Sequence, residues 1–353
     1  MHVHHGDPGD LVGLFSLDDV DHLLTSTALR APALRLAKDG SVLPSSTFTR
    51  SATLAGQPLT GLVDARKVLD LFEDGATVVL QGLHRYWPPI TELVRDLELA
   101  LGHPCQANAY LTPPGAQGFA VHSDSHDVFV FQTHGTKQWE VHDDAGTREV
   151  LLEPGLSMYL PTGTRHAARS QASASLHVTV GINQITWRQL LHQVTHQVLA
   201  DEMYDAPVPA GYLDDLTGFA ERLAGHVDKL TTGLTALDAD ALAARQASSF
   251  LSSRAGLLRG GLSDRLALSE ISDDTVLSRR PGTACTLLER DGLLVVLLGD
   301  RELRMPHRLM AAMGFVRDRS SFRPGDLHEW LDPESSLVLT RRLVREGLLR
   351  VDG

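Results

Sequence analysis

Residues 106–141 read QANAYLTPPGAQGFAVHSDSHDVFVFQTHGTKQWEV, and this stretch decides the fold. Apolar residues before it recur at helical spacing; within it they alternate. The alternation runs on to Trp187, giving predicted strands at 106–112, 117–133, 137–142, 148–152, 156–160 and 175–187. Turn chemistry separates them: Pro-Pro-Gly at 113–115, His-Gly-Thr at 134–136, Asp-Ala-Gly at 144–146 and Glu-Pro-Gly at 153–155. Six short strands in roughly 80 residues, with no helix between them, predict an antiparallel barrel or sandwich.

Working outward, the first 105 residues look mixed and mostly helical. Ser16 is a predicted N-cap ahead of Val20, Leu23 and Leu24, and residues 62–74 place Leu62, Val63, Val68, Leu69, Leu71 and Phe72 near helical spacing up to Gly75. Ala76–Leu80 reads as a strand, and Pro88 opens a helix that Gly102 closes. Beyond Trp187, residues 188–204, 213–231 and 237–254 read as amphipathic helices. The end of the chain combines a predicted hairpin, 293–298 with 302–305, with a capped helix and terminal strand over 332–350.

The chain has 353 residues, enough for two or three domains with real cores. A formal charge of −12 argues against a general nucleic-acid binder. Residues 261–353 hold 14 Arg and no Lys against 15 Asp plus Glu, so this part also lacks the basic face of DNA recognition. No apolar run approaches a membrane span, and the start Met1-His-Val-His-His lacks a secretory signal, so a cytoplasmic protein is expected. Cys105 and Cys285 form no metal-ligand spacing and read as two buried thiols.

The chemistry gathers around His122-Ser-Asp124. On a strand, residues two apart share a face, so an imidazole and a carboxylate would enter the barrel together. They would be two ligands of a 2-His-1-carboxylate facial triad, which leaves one face of a metal open. An HxD alone often occurs by chance. His166, after Glu153-Pro-Gly and inside Pro161-Thr-Gly-Thr-Arg-His166, supplies the third ligand expected from a later strand. His126, His134 and His142 read instead as solvated or hydrogen-bonded, and the trio His2, His4 and His5 carries no expected function. Lys is scarce, occurring only at 38, 67, 137 and 229, which draws attention to Lys137 on a face with Trp139 and Val141. Facing into a barrel it would need an anionic partner such as a dicarboxylate. The alternative is a lysine that snorkels to water from a hairpin exit. Tyr110 and, by alternation, Asn108 share this face.

These motifs, NAYLTPPGAQGFAVHSD, GTKQW, LEPGLSMYLPTGTRH and SLHVTVGINQITW, together resemble the JmjC-type, cupin-like ribosomal oxygenases, which are 2-oxoglutarate- and Fe(II)-dependent protein hydroxylases. The resemblance runs from Asn108 to Trp187 and departs at Ser125-His126-Asp127 and in a short segment between Trp139 and Glu153. It implies a mixed α+β chain. A double-stranded β-helix (cupin/JmjC) domain with a helical lead-in would occupy 1–187, a helical dimerisation domain 188–259 and a winged-helix-like domain 260–353. It further implies Fe(II) on His122, Asp124 and His166, 2-oxoglutarate held near Asn108, Tyr110, Lys137 and Thr179, and O2 as co-reactant. His177, sharing a face with Thr179, would support the site or simply pack. The implied function is hydroxylation of a protein side chain, His or Arg of a ribosomal protein, by a homodimer without membrane or direct nucleic-acid partners.

The residues leave other readings open. The same chemistry could serve a small peptide, an amino acid or a natural-product intermediate, since the fold hosts many substrates. N-methyl-lysine demethylation lacks a visible aromatic cage. A non-catalytic cupin-like binding protein would have a broken triad or no lysine at 137, and a zinc cupin would be told apart by its metal.

Overall fold

The computed structural model describes residues 1–6, 13–117, 119–143 and 146–352, which divide into two units, Met1–Gln184 and Ile185–Gly353.

In the first unit, β1 (His2–His5) is followed by α1 (Leu17–Ser26), β2 (Leu34–Lys38), β3 (Ser41–Val42), β4 (Thr49–Leu54) and β5 (Gln57–Val63). Next come α2 (Ala65–Glu73), β6 (Thr77–Leu80) and α3 (Pro88–Leu101). The rest is strand: β7 (Cys105–Thr112), β8 (Asp127–His134), β9 (Lys137–Asp143), β10 (Gly146–Leu152), β11 (Leu156–Leu160), β12 (Arg165–Ser170) and β13 (Ser175–Ile182).

The expected helix starts form where their caps lie. Ser16 accepts from the Asp19 amide while the Asp19 carboxylate accepts from the Ser16 amide, a reciprocal capping box. Gly102 closes α3 in the left-handed conformation. The expectation of a mostly helical lead-in is corrected, because five strands precede α2. Leu62 and Val63 illustrate the reason. Their spacing fits a helix, yet they pair with Arg50 and Thr49 in the β4–β5 hairpin, and α2 begins only after Asp64 caps it.

One antiparallel sheet runs β1-β11-β8-β13-β7-β6-β2-β3, and a smaller one runs β10-β9-β12. Alternation divides the large sheet's residues between two environments. Ala107, Ala109, Leu176, Val178, Leu34 and Leu36 face a core shared with Phe15, Leu23, Ile90 and Val94 from the α1 and α3 side. On the other face, Val128, Val130, Met158 and Leu160 meet Trp139, Val141 and Leu152 of the small sheet. Two sheets closed in this way are the JmjC/cupin double-stranded β-helix, and the pocket between them carries the site.

Strand β12 escaped the sequence reading, and the strand expected over 117–133 is real only from Asp127 to His134. Upstream of Asp127 the chain changes partner every few residues: Gln117 bridges Arg169, Phe119 bridges Gly40 and His122 bridges His166. No continuous ladder can form, so His122 and Asp124 are carried on irregular backbone instead of an alternating strand. The last barrel strand stops at Ile182, short of Trp187.

The second unit opens with α4 (Trp187–Leu199), α5 (Leu216–Thr235) and α6 (Ala239–Ser252). The helix expected to reach residue 204 ends at Leu199, followed by a 3-10 turn at Glu202–Tyr204. Gly233 of α5 lets Val198 of α4 approach; a Cβ there would lie 2.6 Å from the valine Cγ1. Beyond lie α7 (Gly261–Leu266), β14 (Leu277–Arg279), β15 (Thr286–Arg290), β16 (Leu293–Leu297) and β17 (Glu302–Pro306). Then come α8 (Met310–Asp318), β18 (Ser321–Phe322), α9 (Pro333–Arg345) and β19 (Leu349–Val351). The expected hairpin is β16–β17, widened by β15 into three strands; a second small sheet runs β18-β14-β19. Leu277, Leu294, Val296, Met313 and Leu343 form its core, and the buried Arg280 and Asp264 pair with each other.

Candidate metal centre

A cavity of about 700 Å³ lies between the two sheets of the first unit. At its mouth the structure brings together His122, Asp124 and His166, with one ligand atom from each within 4.8 Å of the others. Among the described residues this is the one such cluster of potential metal ligands. Two backbone hydrogen bonds zip the elements together: the His122 amide donates to the His166 carbonyl, and the His166 amide to that of His122. The Gly163 amide holds the Asp124 carbonyl at 2.9 Å.

Each imidazole is oriented by a carbonyl that can only accept. Nδ1 of His122 lies 2.9 Å from the Ala120 oxygen, and Nδ1 of His166 lies 2.9 Å from the Thr164 oxygen. Both Nδ1 atoms therefore carry the proton, which leaves each Nε2 lone pair for a metal. His166 Nε2 stands 3.7 Å from Asp124 Oδ2. Burial, together with the nearby His122, holds the His166 pKa below its ordinary value, so the ring is neutral and ready to ligate.

Asp127 stabilises this loop. It accepts from the Thr162 amide and hydroxyl at 2.8 Å each, from Tyr159 at 2.5 Å and from Gln184 at 2.7 Å. Burial pushes its pKa up, but the bonds from Tyr159 and Thr162 outweigh that and hold it below the usual carboxylate range. It thereby ties the segment after Asp124 to the turn before His166. Sequence reading passed over Asp127 because its partners lie 32–57 residues away.

At the other end of the site Lys137 is 3% exposed, so the snorkelling alternative is overturned. Its Nζ donates to Thr112 Oγ1 at 2.9 Å, and among the described residues no carboxylate pairs with it. Burial lowers its pKa to about 7. Between lysine and triad stand His177, stacked on Tyr110 at 5.0 Å, and Trp139, which touches both His166 and His177. Burial and the neighbouring Lys137 push the His177 pKa well down, leaving a neutral ring. His177 Nδ1 and Trp139 Nε1 are buried without a hydrogen-bond partner. Orphaned polar atoms beside an uncompensated cation are what an elongated anion would satisfy.

Asn108, Tyr110, Lys137 and Thr179 all line the cavity. The Tyr110 hydroxyl bonds to Thr179 and Asn108, its pKa raised by burial, and no hydrogen bond joins it to Lys137 among those described. Asn108 Oδ1 also accepts from the Gly82 amide at 3.0 Å. His126, read as solvated, lines the same cavity: its ring fills the space beside Gly181, where a Cβ would lie 2.5 Å away. Arg35, His84 and Arg85 also line it and were missed. Arg35 was within reach: it lies between Leu34 and Leu36, whose burial on one face sends the arginine to the other.

Residues 89–148 and 142–190 match the JmjC domain family model. The chain is 29% identical over 215 residues to ribosomal oxygenase 1 of Gallus gallus, covering 54% of this chain and 34% of the relative. It is 34% identical over 161 residues to the bifunctional lysine-specific demethylase and histidyl-hydroxylase NO66 of Branchiostoma floridae, covering 44% of this chain and 26% of that protein. It thus spans only about a quarter to a third of these curated relatives. Among solved structures, Escherichia coli ribosomal oxygenase YcfD superposes with a TM-score of 0.55 at 20% identity, covering 96% of this chain and 91% of YcfD. That protein has also been solved with cobalt and 2-oxoglutarate. At this identity the likeness speaks for the fold. Over residues 89–190 the chain matches the JmjC domain, and the relatives to which it is similar include ribosomal oxygenases.

Proposed function

We propose that this chain is an Fe(II)- and 2-oxoglutarate-dependent oxygenase that hydroxylates a protein side chain, with His or Arg of a ribosomal protein as the target class. The observation that carries the reading is the pairing of a three-ligand cluster at the pocket mouth with a buried lysine that lacks a carboxylate. His122, Asp124 and His166 would hold the iron. Lys137 would take the distal carboxylate of 2-oxoglutarate, with Thr112 positioning its Nζ and His177, Tyr110, Asn108 and Thr179 forming the wall. Bound together, iron and cosubstrate supply O2 activation coupled to decarboxylation to succinate.

The protein's own part is to orient two imidazoles through their Nδ1 atoms, keep the ligand cluster open on one side and shield the lysine end from water. The residues fit the group: a mixed nitrogen and oxygen donor set suits iron(II). A ribosomal target is supported by the names of the relatives.

Residues 188–259 are proposed as a dimerisation segment and 260–353 as a winged-helix-like domain. Helices α4 and α5 support the former, since they bury none of their residues within one chain. A light-scattering mass at the 38.4 kDa of one chain would contradict the dimer. No helix among the described residues is long and apolar enough to cross a membrane, in keeping with the proposed cytoplasmic site of action.

The test of function is succinate formation from 2-oxoglutarate by the purified chain with Fe(II) and ascorbate, joined to mass spectrometry of ribosomal proteins from a deletion strain. The reading expects succinate, and one ribosomal protein lighter by one oxygen atom in the deletion strain. No succinate and no 2-oxoglutarate binding would leave a non-catalytic cupin-like protein.

A further inference from the structure

We propose that Arg35 determines substrate specificity by receiving a hydrogen-bond acceptor of the substrate, a carboxylate or a carbonyl oxygen, and by turning away guanidinium and ammonium groups. The proposal rests on the oxygenase reading above and narrows its target class.

Four observations converge. Strand β2 lies inside the large sheet between β6 and β3, and Leu34 and Leu36 are fully buried on its helix-covered face. Alternation therefore commits Arg35 to the pocket side, where it lines the cavity. Its Nε is buried with no hydrogen-bond partner, and no carboxylate pairs with it among the described residues. A guanidinium carries five donors and no acceptor, so one that faces the cavity with its Nε buried and unpaired is suited to an incoming acceptor.

The register separates Arg35 from the lysine end. Arg35 pairs with Val79, which pairs with Tyr110, so the two backbones stand two strands apart, about 10 Å at strand spacing, although the Arg35 charge still acts on the Tyr110 hydroxyl. Lys137 meets β7 at Thr112 instead. Arg35 and Lys137 thus enter the pocket from different strands, and the distal carboxylate assigned to Lys137 leaves Arg35 without an assigned partner.

The rest of the lining has the same polarity. Arg35, Arg85 and Lys137 are its cations, and Asp124 is its one carboxylate among the described residues. Asp124 belongs to the triad, so nothing remains to pair a cationic target. His84 Nδ1 accepts from the Ala107 amide, which leaves its Nε2–H as a further donor beside Arg85. A side chain that enters uncharged, on a segment offering an acceptor toward β2, matches this wall; an arginine target does not.

The test uses the full chain loaded with Mn(II) and 2-oxoglutarate, with binding followed by ligand-observed NMR. The probes are N-acetyl-histidine, its methylamide and agmatine. On the wild-type chain both histidine probes should bind at least about tenfold more tightly than agmatine. A margin of the free acid over the methylamide would identify a carboxylate as the acceptor; equal binding would identify the main-chain carbonyl. Arg35→Gln should erase the preference, and Arg35→Glu should reverse it; the glutamine variant guards against misfolding caused by the charge swap. Equal binding of agmatine by the wild-type chain, failure of every probe, or an unchanged order in both variants would overturn the proposal. So would a loss of 2-oxoglutarate affinity in Arg35→Gln larger than the loss of probe affinity, because Arg35 would then belong to the cosubstrate. A wild-type chain that binds probes selectively but not 2-oxoglutarate would sink the oxygenase reading, and this assignment with it.

Discussion

The two ends of the pocket are built in opposite ways. At the mouth, His122 and Asp124 sit on irregular backbone, half open to solvent, and are held by a single bridge to His166 and by Asp127. At the closed end, Lys137 begins a regular strand and is buried. The mouth gains orientation from second contacts: each imidazole is fixed by a carbonyl and the loop by a carboxylate. The closed end gains its binding power from what it lacks, a counter-ion for a desolvated cation. On the proposed reading a metal enters and leaves by the first end, and a dicarboxylate is drawn to the second.

Breaking the mouth should have the largest effect. Asp124→Ala or His166→Ala is expected to lower Mn(II) affinity by at least about 100-fold, since even supporting residues of metal sites are worth 10–100-fold. Titration followed by electron paramagnetic resonance checks this, and affinity within a few-fold of wild type would remove these residues from the metal site.

Breaking the closed end should leave the metal in place. Lys137→Met is expected to weaken 2-oxoglutarate binding by about 10–100-fold, the worth of a charge-assisted hydrogen bond, while Mn(II) affinity stays within a few-fold. The same variant should raise the melting temperature of the ligand-free chain at neutral pH, because it removes a buried group that favours the unfolded state most strongly at and below about pH 7. A lower melting temperature would show that the lysine is structural.

The pH dependence sharpens the contrast. With the folded Lys137 pKa near 7 and its ordinary value 10.5, the unfolded chain binds the extra proton between those values. This group's contribution to stability therefore rises with pH across that window. Ligand binding runs the other way: 2-oxoglutarate needs the protonated amine. Its affinity should be flat below about pH 7 and fall by up to about tenfold per unit above it. Calorimetry from pH 6 to 9 checks this, and the slope should vanish in Lys137→Met. The smallest effect is expected from Asp127→Asn, which weakens the clamp without touching the metal; about a tenfold loss of Mn(II) affinity is the expected outcome in the same titration.

How much the sequence revealed follows the same division. Lys137, Trp139 and Val141 lie on a regular strand, so alternation alone placed them on one face, and the structure shows that this face is buried. His122 and Asp124 come together too, but by a route that alternation does not describe, through bridges between residues 44 positions apart. Asp127 and Arg35 went unread for a related reason. The first has partners brought in by β11 and the turn after it, and the second lies in a lead-in whose short strands imitate helical spacing. Caps were legible wherever they are local: Ser16, Gly102 and Asp332 each mark a boundary by bonding within a few residues. In the second unit the β16–β17 hairpin and the closing helix and strand were legible; β15 went unread although only the Asp291-Gly292 turn separates it from β16, and β14 and β18 are too short to show a period.

The central claim is that one dicarboxylate bridges the two ends, and anaerobic titration of the Fe(II)-loaded chain with 2-oxoglutarate tests it most directly. The account predicts a metal-to-ligand charge-transfer band that saturates with 2-oxoglutarate, that is absent without iron or in His166→Ala, and that requires about 10–100-fold more cosubstrate in Lys137→Met. No band in the wild-type chain, or an unshifted titration in Lys137→Met, would contradict it.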